Sequence, residues 1–438
     1  MARLSTHLQG IAAVVQSDHW SRGELEAFQS RCLRTLVRHA FERVPFYRDI
    51  FKRHGLRPED IRGIEDLDLI PIANRSEMQE RPPSDLVASG YDPGRLIVRR
   101  TGGSAGFPLS IRRTWFEDRL LHGVRLKEQL KAGVRPTDVR AVLCAGDPGS
   151  RAWQPKPPFW TRFGLLRLFG VNCLLPAREI LSLLAGIQPD VLIGYPGSLA
   201  WIAPEVTAED RRRIRPRLIL PAAETLTPEM RRNIGEFFGA PVYDSYASHE
   251  FNLIAQECRD TGLYHVCEFS VIVEILKDGK PAAPGEPGEL IGTALHSFAS
   301  PFLRYRLGDL VTRGPWRCPC GAPVATLQSI LGRIIDRFPL PGGASLHPYD
   351  LVLPLSQESP WLRRFQIVQT DVDRIVLKVV PLPGRGPTGD DLLRIRTQTG
   401  QAAGPGVTIA IELLDELPPA DNGKFRPYYT LVGSKSRV

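Results

Sequence analysis

Near the start of the chain, apolar positions recur at helical spacing. Leu25, Phe28, Cys32 and Leu36 follow one another at intervals of three, four and four, which predicts a helix with one apolar face that ends at Val44-Pro45. The first 80 residues read as helical throughout, and Pro82-Pro83 then forms a loop. From there to about residue 330, short apolar runs alternate with helical stretches. Val139 to Cys144, Val191-Leu192-Ile193 and Leu218-Ile219-Leu220 read as buried strands. After the last of these, Thr227 is expected to cap a helix that starts at Pro228 and stops at Gly239, with Met230, Ile234 and Phe237 on its buried stripe. Val271, Val273 and Ile275 sit at period two and predict another strand. Strands alternating with helices argue for an α/β layered fold.

Past Phe338 the pattern changes. Pro339-Leu340-Pro341-Gly342-Gly343 reads as a linker. Strands are predicted at Phe365–Val368, Ile375–Val380 and Val407–Leu414, with a helix carrying Leu392, Leu393 and Ile395 before the last. This forms a small α+β unit of about 100 residues, an ordinary domain size. The expected division is a large domain over 1–335 and a small one over 336–438, with no internal repeat.

The bulk properties narrow the choice of partners. The 438 residues are 42% hydrophobic and 24% charged, so the chain can bury a core. The net charge of +8 raises nucleic acid or membrane as partners, but the basic residues are dispersed. The densest cluster, Arg211, Arg212, Arg213, Arg215 and Arg217, is short and reads as a solvated face. No nucleic-acid or membrane partner is expected, and a basic surface suits an anionic nucleotide or coenzyme. The N-terminus carries no secretion signal, no apolar run is long enough to span a bilayer, and a cytoplasmic protein is expected. Seven cysteines in no regular framework argue against structural disulfides.

Several short motifs carry candidate chemistry. Arg100-Thr101-Gly102-Gly103-Ser104-Ala105-Gly106-Phe107-Pro108 is a turn whose small residues let backbone N–H groups approach an anion; it lacks the Gly-Lys-Ser/Thr of a Walker loop. Tyr246-Ala247-Ser248-His249-Glu250 places a carboxylate and a ring after a strand, which suits Mg²⁺ and a nucleobase. The aspartate of Arg304-Tyr305-Arg306-Leu307-Gly308-Asp309 can accept ribose hydroxyls. Gly332-Arg333-Ile334-Ile335-Asp336 and Asn422-Gly423-Lys424 follow. Each alone could be an ordinary turn.

In this order, and with Gly194-Tyr195-Pro196-Gly197-Ser198, the motifs resemble the adenylate-forming superfamily, which includes acyl-CoA synthetases and peptide-synthetase adenylation domains. The resemblance is strongest to the phenylacetate–CoA ligase branch, and the early segment HAFERVPFYRDIFKRHGL shares it. The resemblance implies ATP-dependent activation of a carboxylic acid as an acyl-adenylate, then acyl transfer to a thiol. It assigns the β- and γ-phosphates of ATP to Thr101, Gly102, Gly103, Ser104 and Gly106, Mg²⁺ to Glu250, adenine to the neighbourhood of Tyr246, and ribose to Asp309. It also assigns ribose and phosphate to Arg333, the hinge of a mobile C-terminal lid to Asp336, and contact with the carboxylate and α-phosphate to Lys424. Glu250, Arg333 and Lys424 are thus the expected catalytic residues.

Three motifs depart from the family pattern. Gly102 and Ala105 replace hydroxyl residues, His249 stands where Ser or Thr precedes the glutamate, and Ala222-Ala223-Glu224 replaces Gly-Gly-Glu. Tyr195, Pro196, Ala222, Ala223 and Tyr246 should line the acyl pocket and suit a flat aryl or heteroaryl acid. Coenzyme A is the default acceptor, with an acyl carrier protein or an amine as the alternative. A non-catalytic nucleotide- or acyl-binding homologue is the reading from another class. Cys258, His265, Cys318 and Cys320 have the residue types of a four-ligand structural Zn²⁺ site, and similar pairs occur in some members of the branch.

Overall fold

The computed structural model describes residues 14, 16–100, 109–145, 151–153, 159–333, 337–357, 361–418 and 425–432. They group in two compact units, Met1–Ala132 with Tyr246–Ile330 and Gly133–Ser245 with Leu331–Val438. The expected split at 335/336 concerns which part moves, and compactness does not test it.

The first unit opens with the helix Arg22–Arg43, started by a capping box in which Ser21 and Glu24 satisfy each other's backbone N–H groups. The restriction that Pro45 places on its predecessor holds Val44 extended and ends the helix; Pro45 then starts a second helix, Pro45–Arg53. The buried stripe of the first helix is Leu25, Gln29, Leu33, Leu36 and Ala40, rotated from the predicted face. Phe28 and Cys32 lie at its margin because Phe28 stacks on Phe269, with ring centres 5.0 Å apart.

An eight-stranded sheet forms the body of this unit, in the order Lys280–Pro281, Val271–Lys277, Pro287–Ala294, Tyr305–Arg313, Thr326–Arg333, Tyr264–Val266, Asn252–Glu257, Ser245–Ser248. Leu33, Phe46, Tyr47, Phe51, Phe251 and Tyr305 fill the core beside it. A separate hairpin pairs Ile97–Arg100 with Ser110–Arg113 and flanks residues 101–108. It leads into the helix Trp115–Lys131, which is capped by Thr114 and Glu117.

The second unit contains a five-stranded sheet ordered Ala152–Trp153, Leu168–Asn172, Arg140–Cys144, Val191–Gly194, Leu218–Pro221, parallel except at its first strand. Its strands are apolar almost throughout, as expected of a sheet packed on both faces. The helix Pro228–Phe238 ends at Gly239 in the left-handed conformation, as predicted. Two details differ from expectation. Phe238, not Phe237, joins the fully buried stripe, and the Thr227 side chain bonds the Glu229 carboxylate instead of capping the helix backbone.

The same unit holds a four-stranded sheet ordered Thr408–Leu413, Arg374–Pro381, Leu362–Asp371, Tyr428–Thr430, with the helix Gly389–Ala403. It has its own core, including Phe338, Trp361, Phe365, Leu377 and Ile395, while Leu393 faces outward. This is the small α+β body read from the sequence. Among the described residues no helix is long and apolar enough to cross a membrane.

Candidate functional site

In the parallel sheet, Arg140–Cys144 is the first of four strands in sequence. The second, Leu168–Asn172, lies on one side of it and the third, Val191–Gly194, on the other. The order therefore reverses beside Arg140–Cys144. Open α/β sheets bind ligands outside the carboxyl ends of their strands at such a switch point. Gly194 pairs with Leu143 and with Pro221, so the residues that follow, Tyr195-Pro196 and Ala222-Ala223, leave the sheet at this place. Four of the predicted acyl-pocket residues are brought together by adjacent strand ends. Ala223 adopts φ +72°, a left-handed conformation that suits a glycine better than an alanine.

Tyr195 has its phenol pushed up to about 12 by burial, with Cys144, Cys173 and Glu224 nearby adding to the effect. Burial likewise raises the Cys144 thiol to about 11 and lifts that of Cys173. Both thiols stay protonated at neutral pH, so no thiolate stands ready beside Tyr195.

Glu224 organises this corner, a role the sequence did not announce. One carboxylate oxygen accepts from the Gly197 amide at 2.8 Å and the other from the Phe425 amide at 2.9 Å. Gly197 must be a glycine, since a Cβ there would stand 2.3 Å from Phe425 Cβ and 2.9 Å from the Glu224 carboxylate. Arg364 locks the assembly. Its guanidinium donates to the Gly197 carbonyl and, at 2.6 Å, to the Leu417 carbonyl, and it lies 4.4 Å from the Phe425 ring centre. Burial lowers its pKa to about 10, a fall that Glu224 offsets in part, so it stays charged at neutral pH. Phe425 is thereby fixed against the loop that carries Tyr195. Lys424, its neighbour in sequence, lies outside the described residues, as do Asp336 and all of Thr101 to Gly106.

Arg333 is half-buried at the end of its strand. The preceding Gly332 has φ +115°, and the Tyr428 hydroxyl occupies the space where its Cβ would be while donating to the Leu331 carbonyl at 2.8 Å.

The first unit assembles the nucleotide-type motifs. The Tyr246 hydroxyl donates to Asp309 Oδ2 at 2.6 Å across 63 positions of sequence, so two motifs picked separately share one contact. Tyr246 is buried and Asp309 half-buried. The rest of the Arg-Tyr-Arg motif is scaffold. Arg304 is buried, ion-paired with Glu274 at 2.8 Å, and donates to the Asp68 and Ile70 carbonyls at 2.7 Å each. Tyr305 is core, and Arg306 pairs with Glu289 at 3.3 Å.

Glu250 is 3% exposed, with Arg75 3.9 Å from its carboxylate. The neighbouring His249 is exposed. Arg113 holds this turn by donating to the His249 and Glu250 carbonyls at 2.6 and 2.9 Å. Arg75 and Arg113 come from elements remote in sequence and carry no motif, which is why they went unread. A Mg²⁺ ion bound with nucleotide phosphates typically takes one or two protein carboxylates, so Glu250 fits that donor set.

Cys258, His265, Cys318 and Cys320 converge. Cys258 Sγ lies 3.9 Å from Cys318 Sγ, Cys320 Sγ lies 3.5 Å from His265 Nε2, and all four ligand atoms fall within 4.8 Å of one another. A tetrahedral ion with bonds of about 2.3 Å to sulfur and about 2.0–2.1 Å to nitrogen spaces its ligands about 3.8 Å (S–S) and about 3.6 Å (S–N) apart. The cluster therefore fits zinc. A turn closed by Gly262 N to Cys258 O at 3.0 Å sets the first pair, and the tight turn through Gly321, φ +92°, sets the second. Burial lowers the His265 pKa and favours the neutral imidazole a metal needs.

No protein-family model matches the chain. It is 25% identical over 445 residues to a phenylacetate–coenzyme A ligase of Thermus thermophilus, covering 92% of this chain and 96% of that protein. It is 28% identical over 305 residues to the enzyme of the same name from Escherichia coli, covering 66% of this chain and 67% of that one. Among solved structures, 2-hydroxyisobutyryl-CoA ligase in the postadenylation state superposes with a TM-score of 0.73 at 20% identity, over 91% of this chain and 88% of that one.

Proposed function

We propose that the chain is a member of the adenylate-forming superfamily, in its phenylacetate–CoA ligase-like branch, and that it activates an aryl or heteroaryl carboxylic acid with ATP and passes the acyl group to coenzyme A. Phe425 is the observation that carries this reading. Its amide is tied to the carboxylate that also holds the loop after Val191–Gly194, at the switch point of the parallel sheet. Lys424, the lysine of the last motif, directly precedes Phe425 in sequence, which supports the reading. A purely binding homologue has no need of that arrangement.

In this reading the acid lies beside Tyr195, Pro196, Ala222 and Ala223, and its carboxylate attacks the α-phosphorus of ATP. Thr101 to Gly106 embrace the outer phosphates, Asp309 accepts the ribose hydroxyls beside Tyr246, and Arg333 meets ribose and phosphate. Glu250 would hold Mg²⁺, which supplies charge neutralisation when bound. Lys424 offsets the repulsion between two anions and orients the attack. Pyrophosphate departs, the thiol of coenzyme A attacks the acyl carbon, and AMP leaves. Lys424 serves the first step and obstructs the second, a conflict resolved if residues 336–438 turn as a lid about Asp336. Cys258, His265, Cys318 and Cys320 would hold a structural zinc ion. With four protein ligands it has no open position for chemistry.

The test is carboxylate-dependent ATP–pyrophosphate exchange over aryl, heteroaryl and short aliphatic acids, followed by coenzyme A, amine or carrier-protein acceptors. Exchange with aryl or heteroaryl acids and thioester formation with coenzyme A are expected. ATP binding without exchange for any acid would favour the non-catalytic reading.

A further inference from the structure

Between the hairpin strand Ser110–Arg113, the helix Trp115–Lys131 and the Ser248–Asn252 turn lies a pocket of about 170 Å³. Arg99, Arg113 and Arg125 all line it. It falls below the roughly 300–1,000 Å³ of sites for drug-sized ligands, so it suits a small ion or one end of a larger molecule.

Its charge is unbalanced. Arg113 is 3% exposed; its terminal nitrogen bonds only backbone carbonyls, and its Nε has no partner among the described residues. Arg125 spends its donors on the neutral Asn252 side chain, at 2.9 and 2.5 Å. Neither arginine forms an ion pair among the described residues. The one carboxylate lining the pocket, Asp118, is shared by Arg99 at 3.3 Å, Arg119 at 2.7 Å and His122 at 3.4 Å. Asp118, Glu117 and Glu250 offset the Arg113 charge from beyond ion-pair distance, but a buried guanidinium that no anion contacts directly is still costly, and arginine's planar fork matches phosphate oxygens. Asn252 itself sits at φ +64°, a conformation non-glycine residues seldom adopt, with its side-chain oxygen on Arg125.

We propose that this pocket binds a phosphate-class oxyanion, and that its source is the pyrophosphate released at Glu250. Arg113 connects the two places, since it lines the pocket and holds the Glu250 backbone. The choice of pyrophosphate rests on the adenylating function proposed above; the phosphate-class site rests on the arginines alone.

Calorimetric titration of the full chain, without ATP or acid, tests this with inorganic pyrophosphate, orthophosphate and coenzyme A. Two variants on separate elements, Arg99→Gln and Arg125→Lys, distinguish the pocket from the phosphate loop, and thermal midpoints verify that both fold. Pyrophosphate binding should weaken at least about tenfold in each variant, the loss expected for one charged hydrogen-bonding contact, and its dependence on salt should become shallower in Arg99→Gln, which loses a charge, but not in Arg125→Lys, which keeps one. If coenzyme A alone weakens, the phosphate-class site stands with the coenzyme's phosphates as its source, and the pyrophosphate assignment falls. Unchanged affinity for all three anions in both variants overturns the proposal. Because binding is read without turnover, arginine-dependent pyrophosphate binding alongside absent exchange would sink the proposed function and, with it, released pyrophosphate as the source, while the phosphate-class site would stand. Normal exchange alongside arginine-independent binding would sink only the pocket.

Discussion

Replacing Gly332 by alanine should destabilise the second unit through a contact that can be isolated. The residue sits at φ +115°, where a Cβ-bearing residue loses about 1–2 kcal/mol. The new Cβ would lie 2.0 Å from the Tyr428 hydroxyl and 3.1 Å from the ring carbon that bears it. That hydroxyl must leave the Leu331 carbonyl, forfeiting a hydrogen bond worth about 0.5–1.5 kcal/mol. The expected loss for Gly332→Ala is therefore about 1.5–3.5 kcal/mol. Tyr428→Phe alone should cost about 1 kcal/mol. In the Tyr428→Phe background the worst contact is gone, and Gly332→Ala should cost only its backbone share of about 1–2 kcal/mol. Urea titrations of the four proteins, followed by tryptophan fluorescence and circular dichroism, close the cycle. If Gly332→Ala costs the same in both backgrounds, the hydroxyl is not what requires a glycine.

Three further outcomes are expected. Lys424→Ala should abolish acyl-adenylate formation while sparing thioester formation from supplied acyl-AMP; equal loss of both half-reactions would remove the argument for a turning lid. Elemental analysis should find about one zinc per chain, and chelation or Cys318→Ser should lower the thermal midpoint, whereas a metal-free, fully stable protein would refute the site. Burial raises the Glu229 carboxyl from 4.5 to about 7, so the folded chain keeps a proton there that the unfolded chain releases. Stability from this group is full below about pH 4.5 and is lost as pH rises through about 7, by on the order of 3 kcal/mol. Glu229→Gln should flatten the pH dependence of the thermal midpoint between pH 5 and 8 and raise it at pH 8; an unchanged profile would show that the carboxyl does not titrate there.

Elements with a strong local pattern were legible from the chain. The parallel strands were apolar runs bounded by turn residues, and the small C-terminal body declared itself through a linker followed by alternating strands. Finer detail failed where a tertiary contact outbid a local preference. Phe28 left the helix stripe for the ring of Phe269, and the Thr227 hydroxyl chose a buried carboxylate over the helix backbone. The site followed the same rule. The motifs of Tyr246 and Asp309 stood out through their order along the chain, and Cys318 and Cys320 through their own spacing; the structure brings Tyr246 to Asp309, and Cys258, His265, Cys318 and Cys320 to one another. Arg75, Arg113 and Arg364 were not, since an arginine that meets a remote carboxylate or backbone carbonyl looks like any surface arginine until the fold closes. Glu224 was noticed only as part of a departure from a motif, and its hold on two amides 228 positions apart in sequence, at Gly197 and Phe425, was invisible.

The pairing of Gly194 with both Leu143 and Pro221 also bears on how such a protein can diversify. Tyr195 and Ala222 follow strands locked in register inside a layered sheet, and a Cβ on Gly194 would already stand 2.9 Å from the Leu143 side chain. Adding or deleting a residue in either strand would exchange the side chains packed on the two faces of the sheet and move Gly194 out of register with Leu143. Length variation is therefore closed to this wall of the molecule, and only exchange of side chains remains open. With the acid placed as proposed above, new acid preferences would arise one codon at a time, at positions such as 195, 222 and 223. A library for retargeting the protein can accordingly be small, point-substituted and free of insertions.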